Sequence, residues 1–372
     1  MKVLVTGSTL KIGMVAVFGL AKNNITVIGA DRKSLPFNMY SRHLKSHYKL
    51  KSFDSSDFHN NLLSIIQDEK PDVLIPIGET RQVSLHKAEF LKYANVLVPD
   101  YESFCTAYDK KETYKICSQT GIEMPKHFSD YEADLIIKNE TNRLVIKPDF
   151  DIGGSRGLKI VKNISELNSA RKYIQNNFGN YIIEEFIPGA SRTRTIQLLF
   201  NKNNKLISHF ILKKLHQWPI TGGNTAYAVS THENELLKFV LPFFERCKWE
   251  GPAGVQLIID ERDSRPKLIE INPRFTGSLA FAIQCGVNLP LAACLAALNR
   301  NDINSDYYNA GKFYIHLSFY LKSIIKEFGI TEKKFNLMKQ IFKELFQKKV
   351  GVMIDSKDFP VYLAKAFAEL NH

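Results

Sequence analysis

The chain has 372 residues, 44% of them hydrophobic and 24% charged. That is enough chain for roughly two or three domains with a large core, and it excludes a disordered or collagen-like polymer. Fifty Lys and Arg against 38 Asp and Glu leave a net charge of +12, which favours anionic partners. The excess is scattered in ones and twos between acids, the pattern of a basic surface rather than a nucleic-acid stripe.

The first hundred residues alternate strand and helix signals. Lys2–Thr6 is a short β-branched run, Gly7 to Gly13 a turn, and Met14–Lys22 a helix by its apolar spacing. Ile25–Ala30 reads as a second strand, Asp57–Gln67 as a helix, Asp72–Pro76 as a strand, Val83–Tyr93 as a helix and Val96–Pro99 as a strand. Strands without polar alternation, joined by helices, predict a parallel sheet covered on both faces, a Rossmann-like unit. The apolar run Ile12–Ala21 is too short for a membrane span and lacks the flanks of a secretory signal.

A helix over Lys110–Thr120 follows, then strand Leu144–Pro148, a glycine loop at 153–157, strand Leu158–Val161, helix Ser165–Asn176 and strand Tyr181–Phe186. Beyond it, Thr195–Asn201 and Lys205–Leu212 flank a hairpin turn. The run Trp218–Thr225 reads as a loop, 233–247 as a helix, Gly254–Asp260 and Lys267–Ile271 as paired strands, and 277–299 as one helix. The remainder offers strand Lys312–Phe319, a Lys-rich amphipathic helix near 331–349 and a last helix near 360–370. Five cysteines without a CxxC signal neither a disulfide framework nor a zinc site, so a reducing, cytoplasmic setting is expected.

Three stretches look like chemistry. Glu270-Ile271-Asn272-Pro273-Arg274 ends a strand, so Glu270 and Asn272 face one way and offer oxygen ligands of the kind Mg²⁺ prefers. Gln256 on the neighbouring strand could face the same metal, and Arg274 is placed to grip an anion with its planar fork. Lys147, beside Gly153-Gly154-Ser155-Arg156-Gly157, supplies a point charge and free N–H groups for a polyphosphate, although the loop is not a Walker A sequence. Ile182-Ile183-Glu184-Glu185-Phe186-Ile187 is an apolar strand running into two acids that need donors.

Taken in order, Asp109-Lys110, Lys147 with its glycine loop, Glu184-Glu185-Phe186-Ile187, Gln256 and Glu270–Arg274 resemble the ATP-grasp superfamily. Within it they are similar to the large chain of carbamoyl-phosphate synthase and the carboxylate–amine ligases. The resemblance covers about residues 1–300. It implies an α/β and α+β architecture: a Rossmann-like domain over 1–108, a lid subdomain over 109–186 and a metal-bearing subdomain over 187–310. The two subdomains would clasp ATP, with 311–372 as an extension packed on that core. It further implies that Lys110 and Lys147 meet the ATP phosphates, that Gly153, Gly154, Ser155 and Gly157 close over them, and that Glu184, Glu185, Phe186 and Ile187 form the adenine hinge. Gln256, Glu270 and Asn272 would hold Mg²⁺, for which Mn²⁺ could substitute, and Arg274 and Lys147 would be catalytic. Ser191 stands where the family often has an acidic ribose ligand.

The activity implied is an ATP-dependent ligase forming a C–N bond through an acyl phosphate and releasing ADP and phosphate. Its substrates would be a small carboxylate and an amine, without nucleic-acid or membrane partners, and a homodimer is allowed. Glu79, Lys213, Gly222 and Gly223 are the substrate-side candidates, Arg274 with them; Glu79 reads equally well as a helix-capping acid. Two alternatives stay open: a bicarbonate-using enzyme like carbamoyl-phosphate synthase or biotin carboxylase, and a nucleotide-binding module without catalysis.

Overall fold

The computed structural model describes residues 1–32, 41–52, 55–139, 142–150, 157–189, 193–300, 308–331 and 334–351. Gly153, Gly154, Ser155, Ser191 and the helix expected near 360–370 lie outside them.

The amino-terminal third is built on five parallel strands. In chain order it runs β1 (Lys2–Thr6), α1 (Lys11–Ala21), β2 (Thr26–Asp31), β3 (Leu44–Lys49), α2 (Phe58–Glu69), β4 (Val73–Ile75), α3 (Thr80–Leu85), α4 (Lys87–Phe90), β5 (Asn95–Val96) and α5 (Tyr101–Tyr108). The strand order β3-β2-β1-β4-β5 is the doubly wound pattern, with the topological switch between β1 and β4. Val3 and Val5 of β1 and Val27 of β2 are buried against one helical layer, Leu4 and Ile28 against the other. Strands covered on both faces read as the continuous apolar runs seen in the sequence. The helix expected over Val83–Tyr93 breaks at His86, whose φ of −108° and ψ of 20° are not helical.

A smaller body follows α6 (Lys110–Thr120): β6 (His127–Phe128), α7 (Asp130–Ile137), β7 (Leu144–Pro148), β8 (Lys159–Val161), α8 (Ile164–Phe178) and β9 (Tyr181–Glu185). Its four strands are ordered β6-β9-β7-β8, with their own core of Ile146, Leu167, Ile174 and Ile183. Helix α6 does not pack there. Cys117 and Ile122 join the core of the larger body that follows, so the smaller body begins after α6.

That larger body contains β10 (Thr193–Phe200), β11 (Leu206–Trp218), β12 (Asn224–Thr231), α9 (Asn234–Arg246), β13 (Gly251–Ile259), β14 (Pro266–Asn272), α10 (Leu279–Cys285) and α11 (Leu289–Ala297). The carboxy-terminal segment adds β15 (Phe313–Ile315), α12 (Leu317–Ile330), α13 (Lys334–Leu345) and β16 (Lys349–Val350). One seven-stranded sheet, β14-β13-β10-β11-β12-β15-β16, takes strands from both.

Three expectations change here. The helix over 277–299 is two helices bent by 89°, because Gly286 takes φ of 108° and Asn288 starts a new helix by accepting from the Leu291 N–H. The strand over Lys312–Phe319 stops at Ile315, and a helix begins at Leu317. The loop over 218–225 is a tight hairpin: Trp218 already pairs with Asn224, and a Cβ on Gly223 would stand 2.3 Å from the Trp218 carbonyl oxygen. Helices α10 and α11 pack between α1 and the seven-stranded sheet, so Val17, Phe281, Ala293 and Phe210 share one core. The first domain is therefore welded to the rest. No single described helix is long and apolar enough to cross a membrane.

Candidate active site

Strands β13 and β14 set one wall of the site. Gln256 pairs in register with Glu270, and strand alternation returns Asn272 to the same side. Gln256 Nε2 donates to Glu270 Oε1 at 2.5 Å, and Asn272 Nδ2 donates to that oxygen at 3.1 Å. Arg274, just past the strand, donates from Nη2 to Asn272 Oδ1 at 3.0 Å. Gly254 on β13 lets the chain behind this wall close in: a Cβ there would lie 2.1 Å from the Thr276 methyl.

Lys214 completes the wall from β11. Its Nζ donates to the Gly223 carbonyl at 2.9 Å and to Gln256 Oε1 at 3.2 Å. Burial pulls this ammonium down to about 8, with the nearby Glu270 carboxylate resisting. A cation held this close to neutrality, and bonded among the described residues to a carbonyl and an amide oxygen, is suited to an anion that arrives with the substrate.

These residues line a cavity of about 320 Å³. Its far wall is different in kind: Ile12 and Val15 of α1, Leu279 of α10, Tyr314 of β15 and Phe319 of α12. Between them His316 faces Lys11 Nζ at 2.9 Å. Burial and then the Lys11 charge pull His316 down to about 4, so at neutral pH it is uncharged and accepts from that ammonium. His316 also stacks on Phe319 at 4.0 Å between ring centroids. The cavity is thus cationic and oxygen-rich at one end and apolar at the other.

The sequence candidates divide around this cavity. Gln256, Glu270, Asn272, Arg274 and Gly223 line it; Lys213, Gly222 and Glu79 do not. On β11 it is the neighbour, Lys214, that turns inward. Glu79 is nearly inaccessible at 3% exposure and makes no helix cap. It accepts from Thr6 Oγ1 at 2.7 Å and from Gly78 N–H at 3.2 Å, across the β1–β4 switch point. Burial pushes its carboxyl above the usual range.

The nucleotide-side candidates sit where the smaller body faces β14. Lys147, buried on β7, pairs with Glu184 Oε2 at 2.8 Å and reaches the Ile269 carbonyl at 3.4 Å. Tyr114 on α6 donates its hydroxyl to the other Glu184 oxygen, and burial first, then Glu184, drives that phenol's pKa up. Both Glu184 oxygens are therefore engaged, which leaves the main chain of the hinge to meet a base. Glu185 accepts from Lys126 N–H and from Arg262, each at 2.9 Å; Phe186 lies under Arg143, and Ile187 is buried. Lys110 Nζ donates to the Phe150 carbonyl at 2.7 Å. Gly157 takes φ of 78°, and a Cβ there would meet Pro148 at 2.8 Å.

No signal in the sequence marked Lys11 or His316, and Tyr114 stood out only as part of the family resemblance, with no role attached. Lys214 was one position from the residue singled out. His216, two residues on, is a structural joint: Nδ1 meets Glu327 at 3.0 Å and Nε2 meets Glu344 at 3.1 Å. His209 packs edge-on to Tyr308.

Comparison with known proteins places this geometry. Residues 107–278 match the ATP-grasp domain family. The carbamoyl phosphate synthase large chain of Thermotoga petrophila is 23% identical over 264 residues, 67% of this chain and 24% of the relative. The chain thus spans about a quarter of the length of that relative. Among solved structures, N5-carboxyaminoimidazole synthetase from Staphylococcus aureus complexed with ADP is similar with a TM-score of 0.68 and 15% identity, over 92% of this chain and 86% of that one. The biotin carboxylase domain dimer of Hydrogenobacter thermophilus 2-oxoglutarate carboxylase, in complex with MgADP, ADP and bicarbonate, gives a TM-score of 0.67 and 15% identity, over 84% of this chain and 73% of that one.

Proposed function

We propose that this chain, whose residues 107–278 match the ATP-grasp domain family, is an ATP- and Mg²⁺-dependent ligase joining a small carboxylic acid to an amine. The observation that carries the reading is one cavity in which Gln256, Glu270, Asn272, Arg274 and Lys214 oppose an apolar wall. One carboxylate and two amide oxygens are a donor set that a hard cation accepts. Bound there, Mg²⁺ would neutralise phosphate charge in ATP.

The chain's own residues then divide the work. Lys147 and Lys110 would hold phosphates from the smaller body, and the hinge from Glu184 to Ile187 would take the base. A carboxylate oxygen of the acid attacks the γ-phosphorus, the bond to the β,γ-bridging oxygen breaks, and ADP leaves. The amine nitrogen then attacks the acyl carbon; the carbon–oxygen bond to phosphate breaks and the nitrogen gives up a proton. Charge that builds on the transferring group and on the tetrahedral oxygen falls to Arg274 and Lys214, both fixed before the reaction begins. The apolar wall fits a substrate that carries a hydrocarbon or aromatic portion beyond its reacting group.

The test is ATP and Mg²⁺ with pools of carboxylic acids and amines, with ADP, AMP and phosphate measured. ADP and phosphate released only with a particular acid–amine pair supports the ligase. Release that needs bicarbonate instead moves the case to a carboxylase-type reaction, as the bicarbonate-bound neighbour would suggest. AMP release, or tight ATP binding without turnover, overturns the proposal.

A further inference from the structure

Helices α12 and α13 carry apolar residues on both faces. Inward, Phe319, Tyr320 and Ile324 pack with Tyr227 and Leu337 is buried, while Tyr320, Glu327, Gln340 and Glu344 converge on His216 or on one another. Their outward faces are apolar. Of nineteen large hydrophobic residues that are exposed among the described residues, ten fall between Leu317 and Phe346. They form stripes at helical spacing, among them Leu321 and Ile325 on α12 and Phe335, Met338 and Phe342 on α13, with Phe346 just beyond; Phe346 is 76% exposed. Ten such side chains, 40% to 76% exposed, amount to on the order of 1,000 Å², against roughly 300–600 Å² for the largest patch on a typical monomer.

The charge around the stripes decides what covers them. Lys322, Lys326, Lys334, Lys339 and Lys343 are exposed. Lys334 and Lys339 flank the α13 stripe on opposite edges, each over a phenylalanine ring. Among the described residues of 317–351 the only acids are Glu327 and Glu344, and both are turned inward to His216. A second copy applied across a two-fold axis would bring two lysine-bordered faces of the same sign together. An anionic lipid surface meets both requirements, taking the phenylalanines below the headgroups and the lysines at the phosphates.

We propose that the outer face of α12 and α13 docks this protein on anionic membranes as a peripheral surface, with no segment spanning them. This departs from the sequence expectation of no membrane partner. It also stands apart from the ligase reading, since it uses none of the residues that line the cavity's polar end.

The experiment is co-sedimentation of the full chain with vesicles of equal phosphatidylglycerol and phosphatidylcholine, beside phosphatidylcholine alone. Binding to the anionic vesicles only, weakened at least tenfold by 0.5 M salt, is expected. It should be lost in a Phe342→Glu, Phe346→Glu double variant and reduced several-fold in Lys339→Glu, Lys343→Glu, both with wild-type circular dichroism. Absence of binding by the wild type overturns the proposal. So does a dimer in light scattering that the phenylalanine variant converts to monomer, which would assign the face to a second copy. Binding that appears only after residues 352–372 are deleted overturns it as well, since the chain's own tail would then be the cover.

Discussion

Lys214 and His216 stand two residues apart on β11, both buried, and they leave their ordinary titration ranges in opposite directions. Among the described residues Lys214 hydrogen-bonds a carbonyl and an amide oxygen, and burial outweighs the nearby Glu270 charge to pull it down to about 8. His216 is opposed by burial too, but hydrogen bonds to Glu327 and Glu344 outweigh that and lift it to about 9. The same strand thus carries one base left short of partners and one supplied with two. Under-compensation produces a group ready to receive an anion; full compensation produces a joint that fastens α12 and α13 to the sheet.

The comparison can be broken at either residue. The largest effect belongs to the polar end of the cavity. Arg274→Ala and Arg274→Lys should both lower substrate-dependent phosphate release by about 10²–10³, with ATP affinity by calorimetry near wild type. Full activity in Arg274→Lys would reduce this residue to a diffuse charge. Lys214→Met should cost about 10² in the same assay, by loss of one preorganised donor, whereas His216→Gln should leave release within about threefold. Equal losses at 214 and 216 would erase the distinction drawn here.

For His216 the readout is stability against pH. A folded pKa raised from 6.5 to about 9 gives stability that is complete below about pH 6.5 and disappears as pH rises through 9. At pH 6 the wild type should exceed His216→Gln by roughly 3 kcal/mol in urea unfolding, and the gap should close above pH 9. Lys214 has the opposite sign. Its depressed value makes the folded state pay below pH 8, and Lys214→Met should be relatively more stable there, with the advantage fading between 8 and 10.5. A pH-independent gap in either variant would mean that its side chain acts by packing alone.

The smallest effect lies on the apolar wall. Val15→Ala should raise KM for the organic substrate about three- to tenfold and leave kcat nearly unchanged, because it removes contact that is equal in ground and transition states.

How much of this was written in the sequence follows from the same physics. Glu270 and Asn272 were legible because strand alternation is strict and a proline and an arginine follow at once. Lys214 was not. Ile211 and Leu212 are both fully buried, so the strand shows no alternation from which to read parity, and the ladder is irregular between Lys214 and His216. Strand β3 escaped because Leu44–Lys49 is mostly half-buried and polar at an edge. Helix α12 escaped because apolar residues lie on both of its faces, Phe319 and Ile324 inward and Leu321 and Ile325 outward, so no single stripe marks which side packs. Glu79 read equally as a substrate ligand and as a helix cap; only the fold reveals Thr6 across the switch point.

The pair of Lys11 and His316 has a consequence for how the protein comes into being. Their contact closes the cavity across a sequence separation of 305 residues. During synthesis the first domain and strands β10–β14 can be in place while the apolar wall still lacks Tyr314, His316 and Phe319. The polar end would then open straight into water. Among the described residues, a closed pocket is therefore one of the last features the emerging chain can assemble.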